Sequence, residues 1–251
     1  MSDRSVVLVT GAAKRLGRAI AERFGEAGWH VVIHYGSSRR EARDLAGRLC
    51  SAETIACDLR DRSACDAMID GVAKRHDDFV ALVNCASVFE PDDAHTLDPE
   101  LLHRAMEVNA VAPVRLAQRF LQRSSAASRR IVNVTDQKLK NTNPDFFGYT
   151  MSKHALDATV GMLARAHGNG NDRIYGLAPG AVLASHDQSE AEADRSHVLN
   201  LLERRTASTE IAEAALFLAE GHLASGQTLF VDSGQHLLNQ SRDVIYLARE
   251  G

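Results

Sequence analysis

Short runs of β-branched and apolar residues alternate with longer amphipathic stretches along the chain, and this alternation limits the fold more than any other feature. "SVVLVT" is followed by a helical pattern over 15–27, "HVVIHY" by one over 39–50, and "ETIACDL" by one over 63–75. "FVALVNCA" precedes a long helical stretch over 99–122, and "RRIVNVT" a helix opening near Tyr149. "DRIYGLA" is followed by helical patterns over 190–204 and 209–220 and by a last strand, "TLFVD". Near-continuously apolar strands between helices fit a parallel sheet covered on both faces. The pattern therefore predicts an α/β fold, a Rossmann-type, doubly wound, parallel seven-stranded sheet. The 251 residues show no abrupt change of composition, no repeat and no low-complexity tract, so 1–251 reads as a single domain.

A net charge of −4, with Lys and Arg scattered among Asp and Glu, offers no basic face to nucleic acid or to an anionic membrane. No apolar run approaches the ~18 residues that span a bilayer, and "MSDRSVVLVTG" enters a strand without a leader pattern, so a cytoplasmic protein is expected. Cys50, Cys57, Cys65 and Cys85 lack C-x-x-C spacing and lie in helix-like or strand-like segments, which predicts buried reduced thiols. The eleven histidines contain no H-E-x-x-H pair, which argues against a metal.

"TGAAKRLG" at 10–17 follows the first strand and opens the first helix. Gly11 permits a tight turn, Gly17 lets helix and strand approach, and the helix N-terminus supplies free N–H groups, so the segment suits a phosphate. After the second strand, where an acid would meet a ribose 2′-hydroxyl, stand His34, Tyr35, Ser37, Ser38, Arg39 and Arg40. These donors suit a 2′-phosphate, with Arg15 reaching the same spot from the first turn, and point to NADPH. Asp58 either accepts from an adenine amino group or caps the following helix. Tyr149 and Lys153 share a helix face. They are either a solvated pair or a phenol whose pKa a nearby ammonium lowers toward catalytic use.

Asn84 in "VNCAS", Asn109 in "VNAVAP", and Pro179 with Gly180 in "APG" complete a pattern that resembles the short-chain dehydrogenase/reductases over nearly the whole chain. That family reduces carbonyls and related groups through an Asn, Ser, Tyr and Lys relay. Asn109, Tyr149 and Lys153 match, while Asp136 holds the serine's place. Arg15, His34 with Ser38, Ser87 with Phe89, and Asp136 together resemble the pteridine reductase and dihydromonapterin or dihydrofolate reductase branch.

The resemblance implies that Leu16, Leu59, Ala86 and Ser87 also line the cofactor site, and that Arg15, Ser87, Phe89, Asp136 and Tyr149 meet a pterin, with Phe89 stacking on it. It further implies a homotetramer, with the tail after Gly234 packing on a neighbouring subunit. An ionised Asp136 only accepts hydrogen bonds and repels a developing oxyanion, which disfavours a ketone substrate. The alternatives are an NADPH-dependent ketone reductase and a non-catalytic NADPH-sensing protein. No G-x-S-x-G elbow supports a hydrolase.

Overall fold

Strand β1 (Val6–Val9) sends Val7 and Val9 to one face of a sheet and Val6 and Leu8 to the other, and all four are buried. An apolar run without polar alternation thus belongs to a central strand covered on both sides. The computed structural model describes residues 4–185 and 188–250. Of the segments read above, residues 1–3 of the first, 186–187 of the loop before position 190, and Gly251 lie outside the described residues.

The described chain runs β1, α1 (Arg15–Glu26), β2 (His30–Tyr35), α2 (Arg39–Ala46), β3 (Ala52–Ala56), α3 (Arg62–Arg75) and β4 (Phe79–Asn84). It continues through α4 (Pro99–Met106), α5 (Ala112–Arg123), β5 (Arg130–Val134), α6 (Phe147–Ala166), β6 (Arg173–Pro179), α7 (Glu190–Ser196), α8 (Ser208–Glu220), β7 (Thr228–Val231) and α9 (Val244–Glu250). The strands form one seven-stranded parallel sheet in the order β3-β2-β1-β4-β5-β6-β7. The predicted doubly wound fold is therefore present. The strand order reverses between β1 and β4, and a crevice at the carboxyl ends of these strands is where such sheets bind ligands.

Three helices differ from the sequence pattern for identifiable reasons. The expected helix over 99–122 is interrupted by a π-turn, Glu107–Val111, between α4 and α5. Pro113 has no N–H to give the Asn109 carbonyl one turn earlier, and an inserted residue relieves that break. The helix expected over 190–204 stops at Ser196, because the Asn200 amide donates to the His197 and Arg204 carbonyls and Glu203 adopts φ 51°. The helix over 39–50 ends at Ala46, with Gly47 as its cap. The thiols are all free, but only Cys57 and Cys65 are buried, while Cys85 is half-buried and Cys50 exposed.

At the reversal point the turn between β1 and α1 is packed to contact. A Cβ on Gly17 would lie 2.3 Å from the Gly11 carbonyl oxygen, and one on Gly11 would lie 2.9 Å from Ala86 Cα. Gly17→Ala is therefore expected to destabilise the fold by about 1–3 kcal/mol through overpacking against backbone. A thermal melt of the variant beside wild type checks this, and an unchanged melting temperature would show that the turn can relax.

Candidate active site

The C-terminal ends of β1, β4, β5 and β6 open into a cleft of about 450 Å³, a size suited to a small molecule. Gly11, Arg15, Leu16, Gly17, Ala86, Ser87, Phe89, Asp136, Tyr149, Lys153, Pro179 and Gly180 all line it. The folding chain gathers these residues because each follows a parallel strand or opens the next helix.

No side chain caps α1, whose flanking Lys14 makes no capping bond, so the first amides of the helix remain available to an anion. Gly11 has φ 65°, and Gly180 approaches Asp232 so closely that a Cβ there would lie 2.8 Å from the Asp232 Cβ. The turn is packed too closely to accept side chains at its glycines, and the uncapped amides beside it suit the pyrophosphate of a dinucleotide.

Arg15 does not reach the end of β2. Its backbone is left-handed at φ 54°, and its guanidinium donates to the Ala184 carbonyl at 2.7 Å and the Leu183 carbonyl at 3.4 Å, in the loop after β6. Lys14, one residue earlier, faces the other way and pairs with Glu41 on α2 at 2.8 Å. The sequence reading did not single it out.

His34 is equally unavailable to a phosphate. It is buried, its Nδ1 accepts from the Gly11 amide at 3.0 Å, and its Nε2 donates to the Cys57 carbonyl at 3.0 Å. Tyr35 belongs to the core under α1, and Leu59 to the core on the opposite face. Ser37 is exposed, and Ser38 precedes α2 without using its hydroxyl as a cap. Asp58 does not cap α3, since Asp61 does so by accepting from the Ala64 amide; Asp58 is held by Arg60 at 2.7 Å instead.

The two asparagines lie behind the cleft rather than in it. Asn84 donates to Asn133 across the β4–β5 pair at 2.8 Å. Asn109, carried by the π-turn, accepts from the Val88 amide and donates to the Val88 carbonyl and to Ser152 Oγ on α6. Its carboxamide positions the Ser87–Phe89 segment. It does not contact the Tyr149 or Lys153 polar atoms.

At the centre, the Tyr149 hydroxyl donates to Asp136 Oδ2 at 2.7 Å, while the Lys138 amide donates to Asp136 Oδ1 at 2.8 Å. Burial raises the Asp136 pKa above its ordinary value against the pull of these donors. Burial and then the Asp136 charge push the Tyr149 phenol well up. The expected lowering of the phenol by Lys153 is not present here. The ammonium is 5.6 Å from the ring centroid and donates to the Val134 carbonyl, and burial lowers its own pKa. The Tyr149 phenol thus donates to a carboxylate whose own pKa burial raises.

Phe89 stands edge-on to Tyr149 with centroids 4.7 Å apart and stacks on Phe146 at 4.2 Å. It forms an aromatic wall beside the pair.

The described tail packs on this chain's own site. Asp243, Val244 and Ile245 line the cleft. Asp243 pairs with the buried Lys138 at 2.8 Å, Arg242 pairs with Asp145 at 2.9 Å, and Tyr246 stacks on Phe146. The sequence signalled this only by a tail longer than the sheet needs.

The family described as Enoyl-(Acyl carrier protein) reductase matches residues 11–236. The chain belongs to the short-chain dehydrogenase/reductase family of oxidoreductases. It is 31% identical, with a TM-score of 0.88, to a structure of FolM alternative dihydrofolate reductase 1 from Brucella suis in complex with NADP, covering 97% of this chain and 99% of that one. It is 29% identical to pteridine reductase 1 of Leishmania tarentolae, over 92% of this chain and 96% of the relative. A structure of the angucycline C-6 ketoreductase LanV with bound NADP is also similar, at 28% identity and a TM-score of 0.84, covering 93% of this chain and 96% of that one. No described helix is long and apolar enough to cross a membrane.

Asp243→Ala would leave the Lys138 ammonium buried without its counter-ion. The expected loss is about 3–5 kcal/mol of stability, and Asp243→Asn should lose less. Chemical denaturation of both variants checks this, and a tail contributing only surface contacts would show less than about 1 kcal/mol for either.

Proposed function

We propose that this short-chain dehydrogenase/reductase reduces a ring C=N bond of a dihydropterin, as in dihydromonapterin or dihydrofolate, with NADPH. The observation that carries this reading is the 2.7 Å hydrogen bond from Tyr149 to a half-buried carboxylate, Asp136, beside the Phe89 wall. The similarity to a dihydrofolate reductase and a pteridine reductase supports it independently.

In this reading the uncapped N-terminus of α1 and the Gly11–Gly17 turn hold the pyrophosphate, and Lys14, Ser37 and Ser38 meet the 2′-phosphate. Lys153 holds the nicotinamide ribose. The bound cofactor supplies a hydride to the ring carbon. Asp136 accepts from the amino-pyrimidine edge, and Asp136 with Tyr149 passes a proton to the ring nitrogen, which completes the addition of hydrogen across C=N. By resemblance to the pteridine reductases Phe89, already stacked on Phe146, would offer an aromatic surface to the flat ring, and Ser87 in the cleft lining would meet both ligands. By resemblance to the family the chain assembles as a homotetramer in the cytoplasm.

Following NADPH oxidation against oxidised and dihydro pterins, dihydrofolate and one polyketide-type ketone tests the proposal. Turnover of a dihydro substrate well above the ketone is expected. The reverse order would return the chain to the ketone reductases, a reading favoured by the likeness to LanV.

Because burial raises the Asp136 pKa, kcat/KM for the dihydro substrate should fall as pH rises through that raised pKa and Asp136 itself loses the proton it relays. Asp136→Asn should remove this limb and lower turnover by roughly 10²–10⁴. A pH–rate profile of the variant that still follows wild type would assign the limb to another group.

Lys14→Ala should weaken NADPH binding by roughly 10- to 150-fold while leaving NADH nearly unchanged, since a charge-assisted contact to phosphate contributes about 1.5–3 kcal/mol. Fluorescence titration with both cofactors decides this. Equal losses for NADPH and NADH would remove Lys14 from the 2′-phosphate.

A further inference from the structure

At the end of the sheet opposite the cleft, three side chains from separate elements converge. His30 opens β2, Glu53 lies in β3 beside Val32, and His76 ends α3. One ligand atom from each lies within 4.8 Å of the others. Nothing in the reductase chemistry uses them. No local spacing in the sequence reveals them, since they join only when the first three parallel strands and α3 are assembled.

The geometry of this cluster departs from that of a hydrogen-bonded one. His30 Nδ1 lies 2.8 Å from Ser51 Oγ, and its Nε2 is buried without a hydrogen-bond partner. An imidazole that donates from one nitrogen to a fixed oxygen presents the other as a lone pair oriented for a cation.

His76 Nε2 stands 3.3 Å from Glu53 Oε1, long for a hydrogen bond. The distance matches the edge of a tetrahedron whose bonds to a central zinc are about 2.0–2.1 Å, which is about 3.4 Å. The His30 and His76 ring centroids are 4.7 Å apart. Two imidazoles at adjacent positions on one such ion put their centroids about 5 Å apart.

We propose that His30, Glu53 and His76 form a site for a zinc-type divalent transition-metal cation, with solvent in the fourth position. Two imidazoles and one carboxylate select such an ion over magnesium or calcium, which prefer an all-oxygen set. The ion would staple β2, β3 and α3 together, about the length of a strand away from the cleft, and would be structural rather than catalytic. The Arg75 guanidinium, 2.7 Å from the same Glu53 oxygen, is the cation that the metal must displace, and it is half exposed. Arg4 adds a second positive charge nearby. Both weaken the site without blocking it.

The test uses the full-length protein, stripped with a chelator and titrated with Zn²⁺ against a chromophoric indicator, with Co²⁺ substituted to read tetrahedral coordination from its visible spectrum. One equivalent should bind below ~0.1 mM and raise the melting temperature. Glu53→Gln and His76→Gln should each weaken binding at least about tenfold, and Arg75→Ala should tighten it. Glu53→Gln keeps the shape of its side chain and His76 and Arg75 sit at the end of α3, so these variants disturb packing less than His30→Ala would. Absence of binding at ~0.1 mM Zn²⁺, or one-equivalent binding that survives the Glu53→Gln, His76→Gln double variant, would overturn the proposal. Neither outcome bears on the reductase reading, which is measured by NADPH oxidation.

Discussion

One side chain closes the point on which the cleft is built. The buried Thr10 hydroxyl accepts from the amides of Cys85 and Ala86, at 2.9 and 3.1 Å, and so ties the end of β1 to the segment leaving β4. The neighbouring Gly11 amide donates to His34 at the end of β2, and His34 in turn donates to the chain leaving β3. Four strand ends are thereby held by one short hydrogen-bonded chain. This leaves no room for a Cβ at Gly11 or Gly17 and turns the first amides of α1 toward the ligand crevice. A histidine that looks like a ligand donor in the sequence proves to be part of this scaffold, because both its nitrogens are consumed by backbone.

The electrostatics of the cleft follow from what surrounds Asp136 more than from its position. Its loop is fixed by the Lys138 amide, and Lys138 is itself neutralised by Asp243 from the tail. The tail is anchored a second time where the Asp243 amide donates to Asp145 and Arg242 pairs with the same carboxylate. A carboxyl in so closed a setting holds its proton more tightly than an exposed one. The tail is therefore a wall of the site and part of its acid–base balance, because the Asp243 charge also raises the Tyr149 phenol.

The fold was legible in the sequence because its signal is repeated: each strand is a continuous apolar run, and each helix an amphipathic one. Asp136, Tyr149 and Lys153 were legible because one strand end and one helix face bring them together. What was not legible depended on direction. Adjacent cations Lys14 and Arg15 point to opposite sides of the turn, and only the backbone angle decides which faces β2. Asp243 and the His30, Glu53 and His76 cluster depend on contacts between segments far apart in the chain, where no periodicity operates.

The arginine in the phosphate turn is the clearest case of a local rule overridden by a tertiary contact. At φ 54° a glycine would sit without strain, and a side chain there costs about 1 kcal/mol. The Leu183 and Ala184 carbonyls offset part of that cost by accepting from the guanidinium, although these solvent-exposed bonds contribute only about 0.5–1 kcal/mol. The exchange has a directional consequence. With glycine the turn would touch the loop after β6 through backbone alone, whereas Arg15 joins the two across the mouth of the cleft. Whatever enters between them must therefore pass beside a guanidinium.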